Sequence, residues 1–308
     1  MTSFSSTEML DEWQAGAEMA GFASTVPQLG IGQSGKNGML KATFELHKQI
    51  TRLTQAYARP PMYANGALYL DEQLPGMAFL YLMSGSDALV QGDRLATLVT
   101  VKEGAQLHVT NTSATKIHGM RHDYAVQRTE LALESGAFVE WLPEPLIPHP
   151  GARLWQHTQL DVHPEATLIF GDVLSAGRLA RGERFEFEII SSQLRARRES
   201  RTLFDDNLVL QPSRQRVDGA GLFGNFSVQG SLYVLTRQMP PAVLADALHE
   251  AAQQPEVLAG ASVLPGEAGV LVRILGPRTA AVQQAMTAAW RHARQELMGV
   301  GLPDTRKY

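Results

Sequence analysis

The feature that most constrains this chain is a long succession of short apolar segments separated by turn residues. From Met39 to about Arg237, segments such as LKATFELH, AQLHVTNT and ATLIFGD alternate apolar and polar residues, and Gly, Pro, Asp or Ser lies between them. A period of two over runs of this length is typical of β-strands. So long a series of short strands predicts a mainly β fold.

Three of these segments also resemble one another. KEGAQLHVT, ESGAFVEWL and HPEATLIFG each contain a turn, then an alanine, then an apolar strand, and the alanines are Ala105, Ala137 and Ala166. The repeats are therefore 32 and 29 residues apart. A near-regular spacing of this kind predicts stacked layers of strands, as in a β-helix or β-solenoid.

The two ends of the chain differ from this β-rich part. Residues 1–38 are interpreted as an N-terminal extension or linker, in which Thr7 to Ala20 forms a short amphipathic helix and a stretch rich in Gly, Ser and Gln follows. Residues 39–238 form the layered β core. We expect residues 239–308 to form a helical portion that packs on this core.

The C-terminal portion has the clearest helical patterns. Pro240–Gln254 begins with proline, which suits a first helical turn, and is rich in alanine. Residues 269–275 form an apolar strand-like run. In Pro277–Met298 the apolar residues follow one helical stripe, which predicts a second, longer helix. A small α+β portion is therefore expected after the β core.

Composition excludes several classes of function. The chain has no cysteine, so we exclude disulfide frameworks, thiolate zinc sites, iron–sulfur clusters and cysteine nucleophiles. The net charge of −4 argues against nucleic acid as a partner, because phosphate binding needs clustered positive charge. No apolar run approaches the roughly 20 residues that span a bilayer, and the N-terminus lacks a signal-peptide pattern. We therefore expect a cytoplasmic protein without a membrane partner.

One segment matches the pattern of a phosphate-binding loop. Gly30 to Lys36 reads GIGQSGK, which fits GxxxxGK. That loop works only between a buried strand and a helix, whose N-terminus faces the phosphate. Here Asn37 replaces the usual Ser or Thr, and an alternating, strand-like run follows. A nucleotide-binding enzyme with a degenerate loop is therefore an alternative hypothesis rather than the preferred one.

No other catalytic signature is evident. His118 and His122 would share one face if the segment between them were helical, and could then hold a metal ion, although Gly119 opposes a helix. The chain contains no HExxH motif and no GxSxG nucleophile elbow. A Ser/His/Asp triad has no fixed order along a chain, but nothing in this sequence singles one out.

Four polar segments follow strands in the β core and carry the most specific pattern. They are QGDRL at 91–95, TNTSATK at 110–116, EWLPEPLI at 140–147 and GRLARGERF at 177–185. In this order they resemble the motifs of the urease accessory protein family UreD, called UreH in some bacteria. TRLTQAYARPPMY at 51–63 and the C-terminal WRHARQELMGVGLPDTRKY also resemble family features. The resemblance covers about residues 39–308.

The resemblance implies a scaffold for urease maturation and not an enzyme. Proteins of this family are β-rich, bind a helical partner called UreF, and through it a GTPase called UreG. The assembly docks on urease apoenzyme and helps to deliver nickel to it. On this interpretation the chain binds no cofactor tightly, nickel passes transiently, and GTP is bound by the partner. A β-solenoid interaction module with another partner remains a further alternative.

The resemblance also implies a polar path for nickel inside the UreD-like subunit. The predicted transit residues are Asp93, Glu140, Asp172 and Glu183, together with His118 and His122 as further metal contacts. Thr115 and Lys116 are expected to shape the same channel. Without cysteine, such a path holds the metal through carboxylates, imidazoles and backbone oxygens, which bind it more weakly than thiolates.

Overall fold

The computed structural model describes residues 15–24 and 35–305, and two large β-sheets make up most of it. The first sheet has seven strands, in the spatial order β15 (Arg201–Leu210), β14 (Ile189–Arg198), β12 (Arg153–Val162), β9 (Ala125–Leu133), β6 (Arg94–Val101), β1 (Asn37–His47) and β2 (Ile50–Arg59). Its central strands β1, β6, β9, β12 and β14 are parallel, and antiparallel hairpins form both edges.

The second sheet has eleven strands. Its main path is β17 (Leu258–Val263), β18 (Val270–Gly276), β16 (Val228–Leu235), β13 (Thr167–Ser175), β10 (Phe138–Trp141), β7 (Gln106–Asn111), β4 (Ala78–Ser84) and β3 (Met62–Ala64). Three short strands lie beside this path, namely β5 (Ala88–Leu89), β8 (Thr115–Ile117) and β11 (Leu146–Pro148). The chain passes repeatedly from one sheet to the other and builds a β-solenoid of about four turns. The predicted mainly β, layered fold is confirmed.

The repeated alanines lie one above another at the start of successive layers. Ala105, Ala137 and Ala166 are all at most 1% exposed and precede β7, β10 and β13. The backbone N–H of Phe138 donates to the carbonyl of Ala105 over 3.0 Å, and that of Thr167 donates to Ala137 over 2.8 Å. A small side chain is required here because neighbouring turns stack closely. The repeat found in the sequence therefore corresponds to successive turns of the solenoid.

Apolar side chains fill the space between the sheets in two separate clusters. The first cluster includes Val99 and Leu131 from the seven-stranded sheet and Leu107 and Leu168 from the other. The second lies nearer the starts of the parallel strands. It contains Leu40, Leu95, Ala125, Leu154 and Leu174, among others. Each cluster buries enough apolar surface to hold the sheets together, and the space between the clusters is treated below.

Two helices cover the outer face of the eleven-stranded sheet. They are α1 (Pro241–Ala252) and α2 (Thr279–Met298), and both agree with the helices predicted from the sequence. Val282, Ala285 and Ala289 on the predicted stripe of α2 are fully buried in a third apolar cluster. The strand predicted at 269–275 is β18, but β17 was not expected, because LAGASV shows no alternation. Both strands extend the sheet.

The N-terminal segment is described only in part. A 3-10 turn at Ala17–Phe22 places Met19 against the outer face of the seven-stranded sheet, beside Tyr124 and Trp155. The rest of the helix predicted for Thr7–Ala20, and most of the predicted linker, lie outside the described residues. The division of the chain at residues 38 and 238 stays a prediction. No helix within 15–24 and 35–305 is both long and apolar enough to cross a bilayer.

Candidate functional site

A polar layer separates the two apolar clusters inside the molecule. Along β6, β9 and β12 the side chains that face the second sheet change from apolar to polar and back to apolar. The polar residues are Thr97 on β6, Gln127 and Thr129 on β9, and Gln156 and Thr158 on β12. They lie side by side across the strands, since Thr97 pairs with Thr129, and Gln127 with Gln156.

A cavity of about 300 Å³ lies at this polar layer. Thr97, Gln127, Thr129 and Gln156 line it from the seven-stranded sheet, and Asp172 lines it from β13. The cavity reaches the surface near residues 86–87 and 112–116. Burying a polar layer between two apolar ones reduces stability unless its polar atoms are satisfied. The layer is therefore not explained by its contribution to folding, which makes it a candidate functional site.

One hydrogen-bond acceptor in this layer has no partner in the part of the chain that the structure describes. The side-chain Oε1 atom of Gln127 is buried and accepts no hydrogen bond from any described residue. The neighbouring amide of Gln156 accepts only a long hydrogen bond, 3.4 Å, from the hydroxyl of Ser192. A buried oxygen of this kind can accept a hydrogen bond from water or coordinate a cation.

Within the described ranges, Asp172 provides the only carboxylate that lines the cavity from its inner end. Its side chain forms a hydrogen bond with Ser231, whose hydroxyl also accepts a hydrogen bond of 2.9 Å from Arg273. Arg273 in turn pairs with Asp206 at 2.6 Å, and Tyr233 donates to the same carboxylate. Burial raises the pKa of Asp172, while the charge of Arg273 partly opposes this increase. Asp172 is therefore held in place but remains costly to ionise.

Thr115 and Lys116, the two predicted channel-shaping residues, lie near the outer opening of the cavity. Lys116 pairs with Asp87 over 2.7 Å, and this ion pair lowers the pKa of the Asp87 carboxyl. Asn111 donates a weak hydrogen bond of 3.4 Å to the hydroxyl of Thr115. Three of the predicted residues, Asp172, Thr115 and Lys116, thus line one cavity.

The two predicted histidines do not meet. His122 is exposed, whereas the ring of His118 stacks on that of His149 with centroids 4.8 Å apart. Burial, and then the charge of Arg178, lowers the pKa of His149, while Glu183 opposes this change. Glu183 itself is paired with Arg178 over 2.6 Å. Within the described residues no three His, Asp or Glu side chains are arranged to hold a metal ion.

Glu140 lies on the opposite side of its sheet from the cavity. Alternation along β10 directs Val139 and Trp141 between the sheets and Glu140 towards α2, where it is fully buried. Its carboxylate accepts hydrogen bonds from Arg294 at 2.8 and 2.9 Å and from the indole of Trp290 at 3.0 Å. It also forms a hydrogen bond of 2.8 Å with the ring of His108. Arg294 also pairs with buried Asp71. These contacts indicate an anchor for α2.

Asp93 also forms contacts that stabilise the fold. It is fully buried in the turn before β6, and its two carboxylate oxygens accept the backbone N–H groups of Lys36 at 3.1 Å and Val90 at 3.0 Å. Burial raises its pKa, and these two hydrogen bonds oppose the increase. Removing the acceptor would leave two buried donors unpaired, at about 1–3 kcal/mol each.

The cavity contains residues that sequence reasoning did not select. Thr97, Gln127, Thr129 and Gln156 line it, whereas Asp93, Glu140, Glu183, His118 and His122 do not. A signal was present, because these polar residues occupy inward positions with apolar inward residues on both sides of them along each strand. An alternating strand, however, does not reveal from its sequence which face is inward.

The phosphate-loop alternative receives no support from the residues that can be described. Gly30 to Ser34 lie outside them, but Lys36 is buried and its ammonium group donates to the hydroxyl of Ser86 over 2.8 Å. Asn37 begins strand β1, so no helix N-terminus follows the loop.

Comparison with known proteins gives consistent matches over nearly the whole chain. A family model described as UreD urease accessory protein matches residues 36–307. The urease accessory protein UreD of Haloarcula marismortui is 40% identical over 289 residues, which is 94% of this chain and 96% of that protein. Urease accessory protein UreD 2 of Streptomyces griseus is 38% identical, covering 94% and 100%. UreD of Photorhabdus laumondii is 37% identical, covering 93% and 91%.

Proposed function

The chain belongs to the UreD family of urease accessory proteins, and from this premise we propose that it delivers nickel to urease apoenzyme through the cavity between its two sheets. Family membership supports a role in urease maturation, and it confirms the resemblance found in the four motifs. The finer step, transfer of nickel through this chain, is our proposal.

The observation that carries the proposal is the polar layer between two apolar clusters. It offers a carboxylate from Asp172, an amide oxygen of Gln127 that has no partner among the described residues, and the hydroxyl groups of Thr97 and Thr129. All of these groups are oxygen ligands, and oxygen ligands of a protein can replace water around a divalent cation. For a given set of donors, Ni²⁺ binds more strongly than most divalent first-row metals. The layer therefore suits passage of a hydrated nickel ion.

The same donor set suits release as well as binding. A stable metal site brings three or four strong ligands together, whereas the described part of the chain shows no group of three such side chains. Asp172 is the single carboxylate among the residues named for the layer, and its raised pKa makes its charged form costly. A cation entering the layer offsets that cost, and its departure requires few ligand bonds to break. We therefore propose transit rather than storage.

The proposed partners are a UreF-like protein, a UreG-like GTPase and urease apoenzyme. A groove of about 780 Å³ runs along α2 and is lined by Trp290, Arg291 and Met286, among others. Pro143, Glu144 and Val173 line both this groove and the cavity. A partner seated in the groove would therefore lie beside one end of the polar layer. We propose that GTP is bound by the partner and that the chain acts in the cytoplasm as a scaffold, not an enzyme.

The test combines co-purification with urease activation. We expect the tagged chain to retain the UreF-like and UreG-like proteins of its host. Urease apoenzyme should gain activity with nickel, bicarbonate and GTP only when the full set includes this chain. A chain that retains neither partner, or apoenzyme that activates equally well without it, would contradict the proposal.

A further inference from the structure

A buried arginine at the end of the seven-stranded sheet has two donor atoms without an acceptor among the residues that the structure describes. Arg198, the last residue of β14, is 8% exposed, and its Nε and Nη2 atoms donate to no acceptor in the described part of the chain. Arginine stays protonated in proteins, and buried donors are normally satisfied. Two unsatisfied donors on one buried guanidinium group therefore imply an acceptor that the described residues do not provide.

Two further arginines surround this group. The β14–β15 hairpin pairs Arg198 directly with Arg201, so both side chains lie on the same face. Arg237 follows the end of β16 in the facing sheet, where Leu235 shares a core cluster with Ala196 of β14. Burial, and then the charge of Arg237, lowers the pKa of the Arg198 guanidinium. The charges of Arg198 and Arg237 thus act on each other from two sheets, and Arg201 lies beside Arg198 in the hairpin.

No described counter-ion balances these charges. None of the three arginines forms an ion pair or a side-chain hydrogen bond with any residue in 15–24 or 35–305. Glu199 is the only acid whose charge acts on Arg198. It lies in the hairpin turn, is exposed, and pairs with none of these arginines within the described ranges. Like charges placed directly across a hairpin destabilise it, so the arrangement favours a bound anion.

We propose that Arg198, Arg201 and Arg237 bind a small oxyanion of the phosphate class. A guanidinium group presents parallel N–H donors that match two oxygens of such an anion. The Nε and Nη2 atoms of Arg198 are such a pair and are both free among the described residues. A dianion also balances more of the positive charge than a single carboxylate would.

The site is separate from the nickel cavity. Arg237 lies six residues beyond Ser231, the neighbour of Asp172. At about 3.3 Å per strand residue, the two places are roughly 20 Å apart. None of the three arginines lines the cavity. Anion binding at this end of the solenoid can therefore be tested independently of nickel delivery, and neither proposal depends on the other.

The test is calorimetric titration of the full chain with inorganic phosphate at constant ionic strength. We expect saturable binding at one site in the wild type. Arg237→Ala should lower the affinity for phosphate by about tenfold or more, because a hydrogen bond between charged groups is lost. Arg198→Gln should abolish binding. Arg216→Ala is the matched control, since its side chain is 88% exposed and it removes the same charge elsewhere.

The result that would overturn the proposal is equally specific. Phosphate that fails to bind saturably to the wild type would exclude the site, and so would equal weakening by Arg237→Ala and Arg216→Ala, which would indicate nonspecific charge screening. If Arg198→Gln does not fold, Arg237→Ala and Arg201→Ala decide the question, because both residues are exposed and contribute little to the core.

Discussion

Replacing Arg294 with methionine is expected to lower the free energy of unfolding by about 3–5 kcal/mol, because two buried carboxylates then lose their counter-ion. Arg294 is fully buried on α2 and pairs with both Glu140 and Asp71, which are also buried. Methionine fills much of the same volume but donates no hydrogen bond. Since small domains are stable by only about 5–15 kcal/mol, a loss of this size should also loosen α2 from the sheet. Urea unfolding followed by circular dichroism measures it.

A matched substitution separates the ion network from a general effect on the helix. Arg291 lies one turn earlier on α2 and is exposed. Arg291→Met should therefore change stability by no more than about 0.5 kcal/mol. Adding Glu140→Gln and Asp71→Asn to Arg294→Met should recover part of the loss, because no buried charge then remains unpaired. An Arg294→Met chain as stable as the wild type would contradict the anchoring role of this network.

Replacing Asp172 with asparagine is expected to reduce urease activation about tenfold or more, the scale seen when groups around a metal path are altered. The substitution removes the cavity's inner carboxylate but keeps an oxygen that can accept the hydrogen bond from Ser231. The fold should therefore be retained. Asp161→Asn is the control, because Asp161 is exposed on β12 outside the cavity. Activation rates with each variant, at equal amounts of assembled complex, provide the measurement.

The pH dependence of stability gives this substitution a second readout. Burial raises the pKa of Asp172, so the folded chain holds the proton more tightly than the unfolded chain does. The wild type therefore loses stability as pH rises from the ordinary aspartate pKa, about 3.9, to the raised value. Asp172→Asn should lack this loss and be at least as stable as the wild type at neutral pH. A variant clearly less stable than the wild type would indicate a structural role instead.

The fold could be predicted because its causes are local. Alternation in segments such as ATLIFGD specifies strands, and the buried alanines Ala105 and Ala137 mark the turns at which the layers stack. The stripe on α2 is likewise a property of a short stretch of chain. β17 was missed because an edge strand with two small residues and glycine has little pattern of its own.

The site was less predictable because its contacts are distant in sequence. Glu140 looks like a ligand at the end of a strand, but its partner Arg294 is 154 residues away and only the folded sheet brings them together. Asp93 accepts hydrogen bonds from two backbone N–H groups, and no sequence motif predicts these contacts. Gln127 and Thr129 were not selected, because polar residues of an alternating strand usually face solvent. Their inward direction depends on register across three strands.

Nickel bound per urease active site, measured after activation with cavity-blocked chains, tests the central claim most directly. Thr129 lines the cavity from β9, so Thr129→Phe should obstruct the polar layer, whereas Thr129→Val has nearly the same shape and leaves it open. Both variants should still bind their partners. We predict that urease activated with Thr129→Phe contains no more nickel than urease activated in the absence of this chain. With Thr129→Val, urease should receive most of the nickel that the wild type delivers. Full nickel content with Thr129→Phe would contradict passage through the cavity.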